Sequence, residues 1–200
     1  MAKGLIGTML VRAWPDGRRF AGRVVETEAY LGPRDAGCHT FGGRRTPRVA
    51  SMWKQAGTGY IYFTYGMHHM LNVVCGPATV TNPGGGGIGM AVLIRAVEPI
   101  VVDSVLIDAE NRSKFRDLCR GPGRLCKHLE MDRGLDGLDL TVGQVLWLGL
   151  PGEVSRVKVA TSARVGLGNT PSPWLERKLR YFDGASSWVS GPRAMPVKPA

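Results

Sequence analysis

Alternating apolar and polar positions in the first half of the chain are typical of β-strands. The run RFAGRVVETEAYL, residues 19–31, predicts a strand that the turn-forming residues of GPRDAG bring to an end. The run IGMAVLIRAVEP, residues 88–99, predicts a buried strand that carries one arginine, Arg95. Between the two, YIYFTYGMHHM at residues 60–70 predicts a β-hairpin with its turn at Tyr65.

The predicted hairpin is rich in aromatic residues, since three of the chain's five tyrosines lie within six of its positions. In an alternating strand Tyr60 and Tyr62 share one face, while Ile61 and Phe63 share the other, so both faces carry rings. Two interpretations are open. The rings pack a core, as is common in strands, or they form a stacking platform with Tyr65 at its tip.

Weaker patterns follow in the rest of the chain. Leucines spaced among charges between residues 101 and 130 predict helices, which RGPGRL at residues 120–125 is expected to break. Other segments predict a flexible connection at 81–87, a short strand at 143–150, two strand-like pieces at 153–168 and a short helix or turn at 172–182. With 200 residues, 44% of them hydrophobic, residues 1–200 are expected to form one domain.

Targeting and cysteine patterns restrict the location of the protein. No apolar run approaches the roughly 18 residues that a membrane-spanning helix needs. The first residues, MAKGLIGTMLVRAWPDG, lack the apolar segment and cleavage site of a signal peptide, so we expect a cytoplasmic, nucleoid-associated protein without membrane contact. The four cysteines form no CxxC pair, so they are expected to be reduced thiols, and no metal site is predicted.

Charge is distributed unevenly along the chain, which carries a net charge of +10. No acidic residue occurs between Asp35 and Glu98, and that segment holds three of the four histidines. Its cations are Arg44, Arg45, Arg48, Lys54 and Arg95. Rings that stack on bases, beside cations that hold phosphates, favour a nucleic-acid binder. A solvated basic surface without a partner is the alternative.

Two carboxylates in the first predicted strand are candidate catalytic groups. In VVETEAY, residues 24–30, Glu26, Glu28 and Tyr30 point to the same face. Carboxylates two positions apart on a strand are separated by roughly 6.5 to 7 Å, which is compatible with a paired acid and base. Local evidence alone favours ion pairs between these carboxylates and arginines, and Arg95 is a candidate partner because a lone buried arginine is costly. The two interpretations are not exclusive.

Motifs of several other enzyme classes do not occur in the sequence. It contains no GxxxxGK[ST], GxSxG or HExxH, which argues against a P-loop nucleotidase, a serine hydrolase of that type and a zinc protease. His68 and His69 are adjacent, so on a strand they face opposite ways and make a poor shared metal site.

Six segments, taken together and in order, resemble one known family: VVETEAYLGPRDAGCHT, GGRRTPR, GTGYIYFTYGMHHMLNVV, VLIRAVEP, RGPGRLC and ARVGLG. They are similar to the 3-methyladenine DNA glycosylase family of the alkyladenine (alkylpurine) DNA glycosylase type. The resemblance runs from about Leu5 to Val189. Its specific part is the combination of ETEAYLGP with YIYxxYGM.

The resemblance implies an α+β fold, in which a single compact domain has a mixed, mostly antiparallel, curved β-sheet, flanking helices and a protruding β-hairpin. It also implies a monofunctional base-excision enzyme that needs no cofactor. Such an enzyme flips an alkylated or deaminated purine out of damaged double-stranded DNA and hydrolyses the N-glycosidic bond without lyase activity. Because one lesion needs only one enzyme molecule, a monomer is the simplest expectation.

The resemblance also assigns a catalytic group. Glu28 matches the carboxylate that activates water, Arg95 matches an arginine that helps to hold that water, and Val165 matches a backbone contact to it. An alkylated purine such as 3-methyladenine is positively charged and leaves readily, so one carboxylate suffices as the base. The absence of a matching lysine nucleophile fits this chemistry, because no Schiff base is required.

The remaining matched positions concern the flipped base and the DNA. Tyr30, His39 and Tyr62 match side chains that sandwich and hydrogen-bond the flipped base, and Asn72 matches a position that bears on the exclusion of normal guanine. The resemblance assigns contacts with DNA to four further residues: Tyr65 as the wedge that fills the gap in the stack, Met67 beside it, and Arg44 and Arg48 near the DNA backbone.

Two other classes of function fit the residues without the resemblance. A non-catalytic nucleic-acid-binding module would use the same basic segment and tyrosines, and Glu28 would then be dispensable. A formyl-transfer or tRNA-acting enzyme could use a similar β-rich domain. Release of a free base from a duplex with a single lesion distinguishes the glycosylase from both.

Overall fold

Nine β-strands hydrogen-bond into one sheet in the computed structural model, which describes residues 1–76, 87–108, 111–150 and 157–191. The strands are β1 (Met9–Ala13), β2 (Arg19–Tyr30), β3 (Gly59–Thr64), β4 (His68–Cys75), β5 (Met90–Val102), β6 (Val105–Leu106), β7 (Leu146–Gly149), β8 (Val159–Ser162) and β9 (Arg180–Asp183). One α-helix, α1 (Pro122–His128), is found in the described part of the chain. Short 3-10 helices occupy Ala2–Leu5, Gly32–Arg34, Phe41–Gly43, Pro47–Trp53, Arg112–Phe115 and Arg133–Leu135.

The sheet has the order β3-β4-β5-β2-β1-β7, with β6 beside β5, and with β9 between β2 and β8. Every strand pair among the described residues is antiparallel, which agrees with the mostly antiparallel sheet that the resemblance implies but not with its mixed character. Short connections explain the antiparallel pairing of strands that follow each other in the chain, because parallel neighbours need a crossover of about a dozen residues or more. For example, β5 and β6 are joined only by Asp103 and Ser104, which both have positive φ as a tight hairpin turn requires.

The longest strands, β2 with 12 residues and β5 with 13, form the centre of the sheet. The register between them shifts near Glu26, and an irregularity of this kind bends a strand. Beyond it, residues Glu26 to Glu28 pair with β5 on one side and with β9 on the other. This part of β2 therefore lies inside the curved sheet, with strands along both of its edges.

The hydrophobic core lies against β2, β4 and β5. Its fully buried side chains include Leu10, Phe20, Ile61, Leu71, Ile94, Leu125 and Leu129. The last two belong to or directly follow α1, which packs on β4 and β5. No helix among the described residues is long and apolar enough to cross a membrane.

The structure confirms the predicted strands at 19–31, 88–99 and 143–150 and corrects three other predictions. RGPGRL begins a helix instead of breaking one, because Pro122 occupies the first turn, where its missing N–H costs nothing. Most of 101–130 is not α-helical, since β5 continues to Val102 and β6 follows. Within 172–182 the predicted turn is present, but the last residues from Arg180 onward belong to β9.

Two predictions fall partly outside the described residues. The flexible connection at 81–87 lies outside them except for Gly87. Of the two strand-like pieces at 153–168, the first begins outside the described residues, and the second corresponds to β8.

Close packing of β2 against β5 predicts that Gly22→Ala is destabilising. A Cβ atom at Gly22 would overlap the side chain of Val97 and lie 2.8 Å from the carbonyl oxygen of Glu98. We expect the free energy of unfolding, measured by urea denaturation, to fall by about 1–3 kcal/mol. Gly4→Ala is the matched control, because nothing lies within 4 Å of a Cβ there. Equal stability of the two variants would contradict the close approach.

Candidate active site

Glu28 is a fully buried carboxylate near the end of β2. Its Oε1 atom accepts a hydrogen bond of 2.7 Å from the backbone N–H of Val165 and lies 3.3 Å from Nη1 of Arg95. Its Oε2 atom accepts a hydrogen bond of 3.0 Å from the hydroxyl of Tyr30. Three separate elements therefore hold this one carboxylate.

Glu26, two positions earlier, shares Arg95 with Glu28. The Nε atom of Arg95 donates to Oε1 of Glu26 at 2.8 Å, so one guanidinium bridges both carboxylates. The same Oε1 atom accepts a 2.7 Å bond from Nε of Arg180, and Oε2 accepts a 2.6 Å bond from the backbone N–H of Ser190. The ion pairs considered from the sequence are thus present, and the two carboxylates differ in their surroundings.

The surroundings of Glu28 act on its pKa in opposite directions. Burial raises the pKa of Glu28 above its usual value, and the nearby charge of Glu26 adds to the rise. Arg95, the Val165 amide and the Tyr30 hydroxyl oppose it, because each of them stabilises the carboxylate form. The protonation state of Glu28 therefore depends directly on these neighbours.

A cavity of about 490 Å³ opens beside this carboxylate. Its wall contains all three groups that hold Glu28, namely Tyr30, Arg95 and Val165. Of the other residues matched from the sequence, it also contains His39, Arg44, Tyr62, Tyr65 and Asn72. The volume lies in the range typical of small-molecule pockets. Residues from five distant parts of the chain thus meet around one space, with Glu28 covered behind the wall.

Aromatic rings form one side of the cavity. Tyr60 and Tyr62 stack with their ring centroids 5.3 Å apart, and the ring of His39 meets Tyr62 edge-on at 4.5 Å. Nδ1 of His39 lies 2.9 Å from the hydroxyl of Tyr60 and shares a hydrogen bond with it. Because Tyr60 is almost fully buried, it acts as the packing ring of this group, while Tyr62 is partly accessible.

Asn72 is held in the cavity wall by backbone carbonyls of the neighbouring strand β3 and of its own strand β4. Its Nδ2 atom donates to the carbonyl oxygens of Tyr60 and Met70, at 3.1 and 3.3 Å. The side chain is also buried. The two hydrogen bonds therefore fix the orientation of this amide in the cavity wall.

The turn between β3 and β4 places two large side chains in solvent. Tyr65 is 76% exposed and Met67 is 69% exposed. Tyr65 has a φ of 52°, and the N–H of Met67 bonds to the carbonyl of Thr64, which closes the turn. Arg48 braces this region, since its Nη2 donates to the carbonyl of Phe63 at 2.9 Å.

The ion pair between Arg164 and Asp35 was not predicted from the sequence. Arg164 and Asp35 are fully buried and form two bonds, Nη1–Oδ2 at 2.6 Å and Nη2–Oδ1 at 2.8 Å. The guanidinium also lies over the ring of Tyr30 and donates to the carbonyl of Ala29. Arg164 thereby fixes the segment that carries Val165. One signal in the sequence could have indicated this pair. Arg164 is a lone arginine in the strand-like stretch VATSARVG, as Arg95 is in its own strand, and such an arginine needs an acidic partner when it is buried.

The arrangement described so far defines a class of protein: one with a cavity lined by aromatic rings and two arginines, and with the buried carboxylate of Glu28 behind its wall. Comparison with known families agrees with that class. The family model described as Methylpurine-DNA glycosylase (MPG) matches residues 1–186. The chain therefore belongs to the methylpurine-DNA glycosylase family.

Similar proteins occur in mammals and bacteria. DNA-3-methyladenine glycosylase of Mus musculus is 38% identical over 95% of this chain and 57% of its own length. DNA-3-methyladenine glycosylase of Homo sapiens is 38% identical over 95% of this chain and 63% of its own length. A protein of Mesorhizobium japonicum is 42% identical over 98% of this chain and 86% of its own length. The chain thus spans about three-fifths of the mammalian relatives.

The pKa of His39 gives a prediction about acid stability. Burial and, to a smaller extent, the nearby charges of Arg48 and Arg44 together lower the pKa of His39 to about 4. An unfolded chain takes up this proton near 6.5, so the free energy of unfolding should fall as the pH drops from about 6.5 to about 4. We expect the imidazole NMR signals of His39, assigned with His39→Gln, to titrate near pH 4. A midpoint above about 6 would contradict a desolvated, neutral imidazole.

Proposed function

We propose that the chain is a monofunctional DNA glycosylase that excises alkylated purines from duplex DNA with a water molecule activated by Glu28. The observation that carries the proposal is the buried Glu28 carboxylate, which Arg95 and the Val165 amide hold behind an aromatic cavity. A carboxylate in such a place serves as a general base once a water molecule and a sugar carbon are brought to it. The family and the names of the mammalian relatives support the same activity.

The cavity would receive the flipped base between aromatic side chains. Tyr30 and Tyr62 would stack on its two faces, with His39 as a hydrogen-bonding edge, and each base–ring stack offers roughly 1 to 3 kcal/mol. Asn72 would oppose the extra amino group of normal guanine. Because burial and the nearby arginines keep His39 neutral, it can accept or donate one hydrogen bond without adding charge.

One carboxylate, Glu28, is sufficient for the proton transfer in the hydrolysis step. Water attacks the anomeric carbon while the N-glycosidic bond breaks and its electron pair moves to the purine. Glu28 takes the proton from water and stabilises the positive charge that develops on the sugar. A cationic base such as 3-methyladenine or 7-methylguanine leaves as a neutral molecule, so it needs no acid. Direct attack inverts the anomeric carbon, and a covalent intermediate trapped on Glu28 would contradict it.

The neutral lesions hypoxanthine and ethenoadenine would be poorer substrates, because they need a proton donor at the base. Within the described part of the cavity wall, burial raises the pKa of Tyr62 to about 12 and also raises that of Tyr30. His39 is neutral at neutral pH, since its pKa is about 4, so it lacks the acidic imidazolium proton that could be transferred to the base. We therefore place the cationic lesions first in the substrate range.

The DNA would lie across the cavity mouth. The hairpin formed by β3 and β4 would enter the minor groove, with Tyr65 filling the space of the flipped base and Met67 beside it. Arg44 and Arg48 would contact the phosphate backbone, and the acid-free segment around them would attract the duplex at long range. A single chain suffices for these contacts.

Replacement of Glu28 tests the proposal directly. We expect Glu28→Gln to lower single-turnover base release from a 7-methylguanine duplex by about 100-fold or more, with binding of the duplex retained. Glu130→Gln is the matched control, because Glu130 is exposed and contacts Trp14 and Arg18. Equal base release by wild type and Glu28→Gln would refute the role of Glu28.

Substrate panels distinguish the other classes of function. Tight binding of the lesion duplex with no base release by the wild type would indicate a non-catalytic binding module. Tight tRNA binding without binding of damaged duplex would indicate a tRNA-acting enzyme. Excision of 3-methyladenine and 7-methylguanine ahead of hypoxanthine and ethenoadenine is the result that the proposal expects.

Two tyrosines of the hairpin are expected to have separable roles. Tyr65→Ala should weaken base flipping roughly tenfold or more, because a stacking ring is lost, while the free energy of unfolding stays within about 1 kcal/mol. Tyr60→Phe removes the bond to His39 and should cost about 1 kcal/mol of stability with flipping retained. Fluorescence of 2-aminopurine beside the lesion reports flipping, and urea denaturation reports stability. Similar stability loss with normal flipping in both variants would refute the division.

A further inference from the structure

Charges at the centre of the sheet are arranged so that Glu28 depends on residues it does not touch. Arg95 is the cation in direct contact with both Glu28 and Glu26, at 3.3 and 2.8 Å. If Arg95 were the only cation beside Glu26, its positive charge would be shared between two carboxylates. The buried negative charge of Glu28 would then be only partly neutralised. Arg180 prevents this, because its Nε atom lies 2.7 Å from the same oxygen of Glu26.

Arg180 is held in this position from several directions. Its Nη1 atom donates to the hydroxyl of Ser162 at 3.0 Å, and its Nη2 donates to the carbonyl of Ser190 at 2.6 Å. Ser190 in turn donates its N–H to Glu26 and accepts a bond from Nη2 of Arg95 at 3.3 Å. The guanidinium is among the largest fully buried side chains in the described structure. A flexible surface cation could not supply a fixed counter-charge in this way.

We propose that Glu26 and Arg180 are positioning residues for Glu28: Arg180 neutralises Glu26, so that the charge of Arg95 remains available to hold Glu28 as a carboxylate. Neither residue lines the cavity, so neither would touch the DNA. The inference rests on the proposed function, since it explains how the general base of that reaction is kept ionised.

Several other groups face Glu28 and must stay unchanged in a test. They are Tyr30 from β2, Tyr62 from β3, Arg95 from β5 and Arg164 from the segment before Val165. Burial raises the pKa of Glu28 and Glu26 adds to that rise, which agrees with the sign expected from the geometry. Variants at Glu26 and Arg180 alter the charge balance without altering any of these four groups.

The two single variants should move the pH dependence of base release in opposite directions. Glu26→Gln removes a negative charge near Glu28, so the acid limb of the single-turnover rate should move down by about one pH unit. Arg180→Gln leaves Glu26 to compete for Arg95, so the acid limb should move up by about one pH unit. The rate of Arg180→Gln should therefore recover as the pH is raised. A purely structural role predicts a lower rate at every pH with no such shift.

A double variant and a control complete the design. Removing one partner of a buried ion pair can prevent folding, whereas removing both is better tolerated. Glu26→Gln/Arg180→Gln restores the balance around Arg95, so its acid limb should lie within about 0.3 pH unit of wild type. Arg12→Gln removes a buried arginine that bonds to the carbonyls of Leu129 and Val145, and it should leave the profile unchanged. A shift of about one unit in the double variant would overturn the inference even if both single variants fail to fold.

A measurement without DNA separates this inference from the proposed function. Carboxyl NMR of protein labelled with ¹³C-glutamate, with Glu28→Gln for assignment, follows the protonation of Glu28 directly. Opposite shifts of the Glu28 titration in the two single variants support the inference, and shifts in the same direction, or none, overturn it. If wild type releases no base from any alkylated duplex, the proposed function fails, but the titration still decides whether Glu26 and Arg180 control Glu28.

Discussion

Burial of charge in the middle of the sheet is the constraint on which the site depends. Glu26 and Glu28 lie within the curved part of β2, where β5 and β9 line both edges and both side chains are fully buried. Buried carboxylates persist only when cations and N–H groups compensate them. Arg95 from β5 and Arg180 from β9 supply the two positive charges, so the sheet order and the charge balance require each other.

The buried pair of Arg164 and Asp35 extends the same principle to the loops. Asp35 also accepts bonds from the backbone N–H groups of Leu31 and Gly37, at 3.0 and 2.9 Å. Although burial alone would raise the pKa of Asp35, Arg164 and these two N–H groups hold it below its usual value. One ion pair thus ties the end of β2, the loop that leads to His39 and the segment that carries Val165. The cavity keeps its shape because these segments cannot move apart independently.

Much of the site could be predicted from the sequence, partly from residue periodicity and partly from the resemblance to a known family. The strand at 19–31 and the apolar strand with Arg95 follow from periodicity, and a lone arginine in such a strand implies a buried acidic partner. The cavity residues Tyr30, His39, Tyr62 and Asn72 were assigned by resemblance, and the structure brings them together around one space. Their roles in recognition stay proposals.

Other features could not be predicted because they depend on contacts between distant segments. Arg180 meets Glu26 across 154 positions and Arg164 meets Asp35 across 129, and no local pattern records such pairs. The sequence around Pro122 predicts a break where the structure has the start of a helix, because proline ends a helix in its interior but is favoured in its first turn. The bend in β2 near Glu26 likewise arises from a register shift with β5, which only the paired strands reveal.

The turn at Tyr65 affects the free energy that the proposed glycosylase would spend while it searches DNA for a lesion. Tyr65 and Gly66 both have positive φ, at 52° and 64°, and the bond from Met67 to Thr64 closes the turn. The exposed ring is thus carried on a backbone that is already ordered before any duplex arrives. An enzyme that examines many undamaged base pairs for each lesion would otherwise lose conformational entropy at every encounter. In the glycosylase that we propose, this short turn would act as a preorganised probe, and the cost of its order is met once, during folding.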